Sequence, residues 1–395
     1  MTSVARSNRY HIAIFGRRNA GKSSLVNCIA GQGVSIVSDV AGTTTDTVWK
    51  NIELPGIGAA VIVDTAGFDD TGELGAMRVD AARKVLGQAD VAILVLGEYN
   101  DDASLEKEWL AQIRELQLSV IVVAGKCDKE GCAERVVAWQ KALGCDVIPF
   151  SAVTGEGGKA LLERIAQCYK QDDNLDDITH SLVKPGDVVV LVMPQDASAP
   201  KGRIIQPQVQ TLRNLLDKHC IPLCCAPEEL PRLLQSLVAP PQLIITDSQV
   251  FATVEKLTPP KTKLTSFSVL MARHKGDIDA FRSGAEVLLA LPPTARVLIA
   301  EACSHIPQNE DIGRVKLPRL LRSKLGEGLQ INVVGGNDFP DDLAGYDIVI
   351  HCGACMFNRR TVLSRVRQAK AQGVPITNYG IAIAALTGIL DRVVI

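Results

Sequence analysis

Residues 11–23 read HIAIFGRRNAGKS. The apolar run His11 to Phe15 predicts a strand, the glycine-rich stretch after it a tight turn, and a helix is expected from about Lys22. Gly16-Arg17-Arg18-Asn19-Ala20-Gly21-Lys22-Ser23 fits G-x-x-x-x-G-K-[ST]. The glycines let successive backbone N–H groups wrap phosphate oxygens, and the helix N-terminus adds positive partial charge at the same spot. The pattern predicts that Lys22 reaches the β- and γ-phosphates of a nucleotide and that Ser23 ligates Mg²⁺, with Ser24 beside it in the nucleotide site. A glycine-rich turn without function is the bland alternative; the strand before it and the helix after it favour phosphate binding.

Outward from this loop, Val61 to Asp64, Val91 to Leu96, Ser119 to Ala124 and Asp146 to Phe150 are short β-branched runs separated by helical stretches. That alternation predicts an α/β doubly wound parallel sheet. Four further elements point to guanine nucleotide, GTP or GDP. Asp64-Thr65-Ala66-Gly67 ends a strand; Asp64 can hold Mg²⁺ through water and the Gly67 N–H can sense the γ-phosphate. Thr43-Thr44-Thr45 lies upstream, where a hydroxyl, Thr44 in the expected site, closes over Mg²⁺ and phosphate. Gly125-Lys126-Cys127-Asp128 offers the Asp128 carboxylate to guanine N1–H and N2–H₂, which adenine lacks, and Lys126 belongs to the same site. Ser151-Ala152 can touch guanine O6. Phe68 stands where many small GTPases carry a water-orienting Gln, so intrinsic hydrolysis is expected to be slow.

The chain has 395 residues, 47% hydrophobic and 22% charged, which excludes wholesale disorder and suits two or three domains. A net charge of −2 argues against nucleic-acid binding through overall basicity. No apolar run reaches the roughly 18 residues of a membrane span, and a polar N-terminus runs straight into the first strand. A cytoplasmic protein without membrane contact is expected. Eleven cysteines are an odd number, and Cys28, Cys127, Cys132, Cys145 and Cys168 lie scattered through the first half, which argues against a disulfide framework and for small core residues among these five.

An acidic connector, residues 171–179, closes the first region. A second region shows strands at Val188 to Met193 and Gln242 to Thr246 and helices at Gln208 to His219 and Glu228 to Leu237, ending at Pro259-Pro260-Lys261. So small a core is expected to gain from pairing with another copy. The third region has strands at Arg296 to Ile299, Gln330 to Val334, Ile348 to His351 and Pro375 to Thr377. The expected domains are therefore 1–172, 183–260 and 262–395.

Two strand ends of the third region carry Cys303-Ser304-His305 and His351-Cys352-Gly353-Ala354-Cys355. Three thiolates without a second CxxC pair suit an iron–sulfur cluster with one weakly held position, and His305 or His351 is a candidate fourth ligand. Zinc with Cys₃His is the chemical rival. Two buried thiols in a turn is the reading without a metal.

Residues 10–170 resemble a G-domain of the TrmE/Era-like GTPases, with Gly125 standing where that branch has Asn. Asn19 resembles the residue with which TrmE-like GTPases bind K⁺, and a K⁺ there implies potassium-activated hydrolysis. The whole chain resembles the GTPases that mature FeFe-type hydrogenase, the HydF family. The resemblance is carried by residues 200–203 and 206–210, Thr246-Asp247-Ser248-Gln249, Glu301-Ala302-Cys303-Ser304-His305, Glu310-Asp311-Ile312-Gly313-Arg314, the His351 to Cys355 run and Thr377-Asn378-Tyr379-Gly380. It implies a GTPase domain, a dimerisation domain forming a homodimer, and a domain with a 4Fe–4S cluster on Cys303, Cys352 and Cys355. It further implies a scaffold and carrier that receives a di-iron precursor made with radical-SAM maturases and delivers it to apo FeFe-hydrogenase. A tRNA-modification GTPase and a GTP-gated redox sensor are the rival readings.

Overall fold

The computed structural model describes residues 8–31, 36–41, 48–69, 72–99, 102–170, 177–195, 204–302, 311–336 and 338–394. The chain forms two units, Met1–Asp173 and Asn174–Ile395.

The first unit is built on β1 (Tyr10–Phe15), β2 (Ile36–Ala41), β3 (Val48–Leu54), β4 (Gly58–Asp64), β5 (Val91–Leu96), β6 (Ser119–Ala124) and β7 (Ile148–Pro149). Their order across the sheet is β2-β3-β4-β1-β5-β6-β7. β1 and β5 are buried along their whole length, because helices cover both faces, and therefore read as unbroken apolar runs. The expected parallel sheet is corrected at one edge: β2–β3 and β3–β4 are antiparallel, while the other pairs are parallel. For β3–β4 the cause is local: only residues 55–57 separate the two strands, and so short a turn returns the chain antiparallel.

The second unit holds two four-stranded parallel sheets. β8 (Val188–Val192), β9 (Ile221–Cys225), β10 (Leu243–Thr246) and β11 (Lys263–Ser266) lie in the order β11-β10-β8-β9. β12 (Arg296–Ala300), β13 (Gln330–Val334), β14 (Ile348–His351) and β15 (Ile376–Asn378) lie in the order β13-β12-β14-β15. β11 falls beyond Pro259-Pro260, so the second sheet extends past the point where the sequence closed it. Val190, Ile244 and Leu264 of the second sheet share one core with Leu298, Val349 and Ile376 of the third. The small region thus draws on its neighbour's apolar surface, which removes the small-core argument for a partner copy.

The helix Tyr379–Leu386 is buried at every position. It therefore has no polar stripe and no helical period in its sequence. In both units the chemistry-bearing segments leave the carboxyl ends of strands, where an open parallel sheet offers a crevice.

Candidate functional site

β1 delivers the chain to the phosphate loop. Gly16 must be glycine, since a Cβ there would collide with the carbonyl of Val95. Asn19 takes a left-handed conformation (φ 57°) and is exposed. Lys22 opens the helix Lys22–Gly31, is 8% exposed, and donates from Nζ to Gly16 O (2.9 Å) and Arg17 O (2.8 Å). The ammonium is thereby parked inside the loop that phosphates would enter. Arg17 is tied away from it by Glu106, at 2.5 and 2.8 Å.

Ser23 Oγ donates to Asp64 Oδ2 at 2.7 Å, so the two residues expected around Mg²⁺ touch. The other oxygen, Asp64 Oδ1, is buried without a hydrogen-bond partner. Burial pushes the Asp64 carboxyl pKa up, against the opposing pull of Ser23, Lys22 and Lys50. A buried carboxylate oxygen lacking a partner fits a cation there. Gly67 is buried and held against Arg18 and Asp69, with Arg18 N donating to Asp69 Oδ1 at 2.7 Å. Phe68 turns into the core and stacks on Trp109, 5.1 Å between centroids and 18° between planes. Thr43, Thr44 and Thr45 lie outside the described residues.

Beyond the ends of β6 and β7, Ser151 Oγ donates to Asp128 Oδ1 at 2.9 Å and accepts from Val153 N and Thr154 N, both 3.2 Å. Ser151 thus orients the exposed Asp128 carboxylate from beneath, next to Ala152. Gly125 answers its own departure from Asn: a Cβ there would stand 2.6 Å from Ala20 O, in the phosphate loop. The brace comes instead from Arg135, which sequence reading missed. Its guanidinium donates to Gly125 O (3.3 Å) and to Lys126 O (3.0 Å), where Lys126 has φ 58°.

The cysteine expectation needs correcting here. Cys127 and Cys132 form a disulfide across this loop, because Cys132 begins a helix that brings the two Cα atoms to 5.1 Å. One short-range pair is not a framework. Of the first-half cysteines, Cys127 and Cys145 pack half-buried against the core of the first unit, and Cys28 and Cys168 are half-buried.

In the second unit the described part of the cysteine site lies at the ends of β12 and β14. Cys352 Sγ accepts from Ala302 N (3.0 Å) and Ala354 N (3.4 Å). Ala302 is the residue before Cys303; Cys303 and His305 lie outside the described residues. Ala354 is held left-handed (φ 52°), which turns the chain between Cys352 and Cys355. Burial pushes the Cys355 thiol pKa up, and Lys275 pulls against it. Asn378 Nδ2 donates to Cys352 O at 3.2 Å, and its Oδ1 accepts from Ser268 Oγ at 3.0 Å.

His351 is 1% exposed, with both ring nitrogens engaged: Nδ1 with Cys352 O (2.9 Å) and Nε2 with Arg365 (3.1 Å). Arg365 can only donate, so Nε2 accepts and Nδ1 carries the proton. Burial and the Arg365 charge push the His351 pKa down to about 3. As a fourth cluster ligand His351 would first have to break from Arg365, so the arrangement speaks for a structural imidazole. Arg365 lies between Phe339 and Phe357, 4.6 and 4.4 Å from their ring centres, and also donates to Gly336 O at 2.6 Å. Its pKa falls to about 10 through burial. Lys275, pushed down to about 8 by burial, donates to Ala354 O and Phe357 O. Neither cation has a carboxylate partner among the described residues. Lys275 and Arg365 come from other segments, and no motif announced them.

Family models place this chain. Residues 178–276 match the hydrogen maturase F dimerization domain and residues 279–395 its tetramerization domain, together more than half of the chain. The chain belongs to the hydrogen maturase F family. Residues 11–126 match a 50S ribosome-binding GTPase model. The first unit of this hydrogen maturase F chain is therefore a P-loop GTPase domain, a GTP hydrolase that binds GTP and GDP. The dimerization and tetramerization domains indicate self-association. The tRNA modification GTPase MnmE of Ectopseudomonas mendocina is 37% identical over 167 residues, 40% of this chain and 36% of that one. MnmE of Pseudomonas putida is 40% identical over 156 residues, 38% of this chain and 33% of that one. The chain thus matches about a third of the length of these relatives. Among solved structures, the G domain of the Thermotoga maritima FeoB iron transporter is 26% identical, covering 40% of this chain and 98% of that one, with a TM-score of 0.32. Aquifex aeolicus Era bound to GDP and aluminium fluoride is 22% identical, covering 55% and 92%, with a TM-score of 0.33. No helix among the described residues is long and apolar enough to cross a membrane.

Proposed function

We propose that this chain hydrolyses GTP in its first unit and carries a 4Fe–4S cluster on Cys303, Cys352 and Cys355 in its second. In this reading it is the scaffold and carrier of hydrogenase maturation. Its cargo is a di-iron precursor, received with radical-SAM maturases and passed to apo FeFe-hydrogenase. The observation that supports the cluster site most is the hydrogen bond from Ala302 N to Cys352 Sγ. It brings the two cysteine-bearing strand ends to one place, and a sulfur backed by N–H donors is suited to the thiolate that iron needs. When bound, the cluster supplies an iron site with an exchangeable position; the three sulfurs and the turn between Cys352 and Cys355 hold it. His351, with both nitrogens engaged, counts against a Cys₃His zinc site built on it.

In the GTPase unit Lys22 supplies charge to the β- and γ-phosphates. Ser23 and the half-buried Asp64 carboxylate, with Thr44, hold Mg²⁺; the Gly67 N–H faces the γ-phosphate. Asp128, steadied by Ser151, reads guanine, with Lys126 and Ala152 beside it. Phe68 is committed to the core, so it orients no water and intrinsic turnover is slow. Asn19 holds K⁺ next to the phosphates, supplying the charge an arginine finger would bring. The test is an anaerobic preparation assayed for iron, sulfide and electron paramagnetic resonance, then for transfer of iron and diatomic ligands to apo-hydrogenase. Iron and sulfide with a cluster spectrum are expected; zinc in place of iron overturns the reading.

A further inference from the structure

The helix Phe267–Lys275 ends in a lysine that is only 4% exposed. Its Nζ reaches across to the cysteine turn and donates to Ala354 O at 3.0 Å and Phe357 O at 2.9 Å. These acceptors are neutral. The described groups whose charge bears on Lys275 are the thiols of Cys352 and Cys355, and no described carboxylate is among them. A second buried cation, Arg365 at 5% exposure, faces the same turn through His351 and likewise has no described carboxylate. Burying an ammonium without an anion costs several kcal/mol, and two carbonyl dipoles offset only part of that. The arrangement makes sense when an anion sits on the turn. One of the two carbonyls belongs to Ala354, the non-glycine residue that this turn requires in a left-handed conformation.

We propose that Lys275 is the positioning and counter-charge residue of the cluster site: its ammonium clasps the Cys352–Cys355 turn by two carbonyls and balances the negative charge of the thiolate-held cluster. This rests on the cluster reading above. Three thiolates and a 4Fe–4S core carry net negative charge, which grows by one on reduction. A fixed positive charge beside the turn therefore favours the reduced state and holds the potential up. Arg365 provides the same sign of charge from behind His351, so Lys275 is the cation bonded directly to the turn.

The test separates charge from hydrogen bonding in the full chain, reconstituted anaerobically. Lys275→Gln keeps an N–H donor and loses the charge; Lys275→Arg keeps both. Potentiometric titration followed by electron paramagnetic resonance reads the effect, with iron and sulfide content alongside. Lys275→Gln should disfavour reduction at least tenfold, a shift of about 59 mV to the negative for one electron, while Lys275→Arg stays near wild type. Should Lys275→Gln not fold, Lys275→Met must show the same negative shift. GTP hydrolysis should be unchanged in each variant. An unshifted potential in the uncharged variant, with wild-type iron, overturns the proposal. Equal shifts in the Gln and Arg variants also overturn it, because the role is then steric. If wild type itself takes up no iron, the cluster reading falls and this inference with it.

Discussion

The nucleotide site and the cysteine site are both strand-end sites, yet they are assembled differently. Around the phosphate loop nearly every working part lies inside a short motif. Lys22 bonds to Gly16 and Arg17, six and five residues away, and the receptive groups are backbone N–H donors and one helix end. At the cysteine turn the sulfurs come from motifs, but the groups that hold and balance them do not. Lys275 lies 79 and 82 residues from its acceptors, and Asn378 lies 26 from Cys352. A site for a polyanion can be made from a loop's own dipoles. A site that must accept thiolates inside apolar surroundings needs side-chain cations brought in by the fold.

The comparison breaks if the two sites cannot be disabled separately, and this should be the largest effect. Lys22→Ala should lower GTP hydrolysis by at least about a hundredfold, with iron content unchanged. Cys352→Ala should lose most of the iron and leave GTP hydrolysis intact. Loss of both properties in either variant would tie the sites together. Next in size is base selection. Asp128→Ala should lose about a hundredfold or more of the preference for GTP over ATP in competition binding. Retained preference would move the reading of guanine to another residue. A smaller effect tests Asn19. Hydrolysis should run several-fold faster in KCl than in NaCl at equal ionic strength, and Asn19→Ala should erase the difference. Equal rates for the unaltered chain in the two salts dispose of K⁺ at that position.

A further effect, on stability and not on chemistry, concerns the second unit alone. Burial, Lys275, His180 and Arg359 push the His274 pKa down to about 4, and burial foremost lowers that of His180. Unfolded, both histidines titrate near 6.5. Below that pH the unfolded chain binds more protons than the folded one. For His274, stability is therefore present above pH 6.5 and is lost as pH falls toward 4, by up to about 1.4 kcal/mol per pH unit, and His180 acts in the same direction. Thermal unfolding of His274→Gln should depend less on pH over that window; an unchanged slope would assign the effect elsewhere.

The phosphate loop, Asp64-Thr65-Ala66-Gly67 and Gly125-Lys126-Cys127-Asp128 were legible because each is a contiguous run at the end of an apolar strand. The run His351 to Cys355 likewise stands at the end of an apolar strand, β14. The antiparallel edge was missed, because β3 is partly exposed and alternates, unlike the buried apolar runs that mark β1 and β5. The helix Tyr379–Leu386 was missed because a helix buried all round has no period to read.

Sequence by itself determined the GTPase fold, and it alone nominates the phosphate- and base-facing residues and the three cysteines out of eleven on which the proposed function rests. Each depends on neighbours in the chain, whose geometry a short motif dictates. Tertiary structure alone decided that Arg135 and a disulfide brace the base loop, and that His351 is locked by Arg365. It also decided that two buried cations stand behind the cysteine turn. These features depend on which distant segments share a low-dielectric interior, where an unpaired charge is costly. That interior exists only once the sheets have packed.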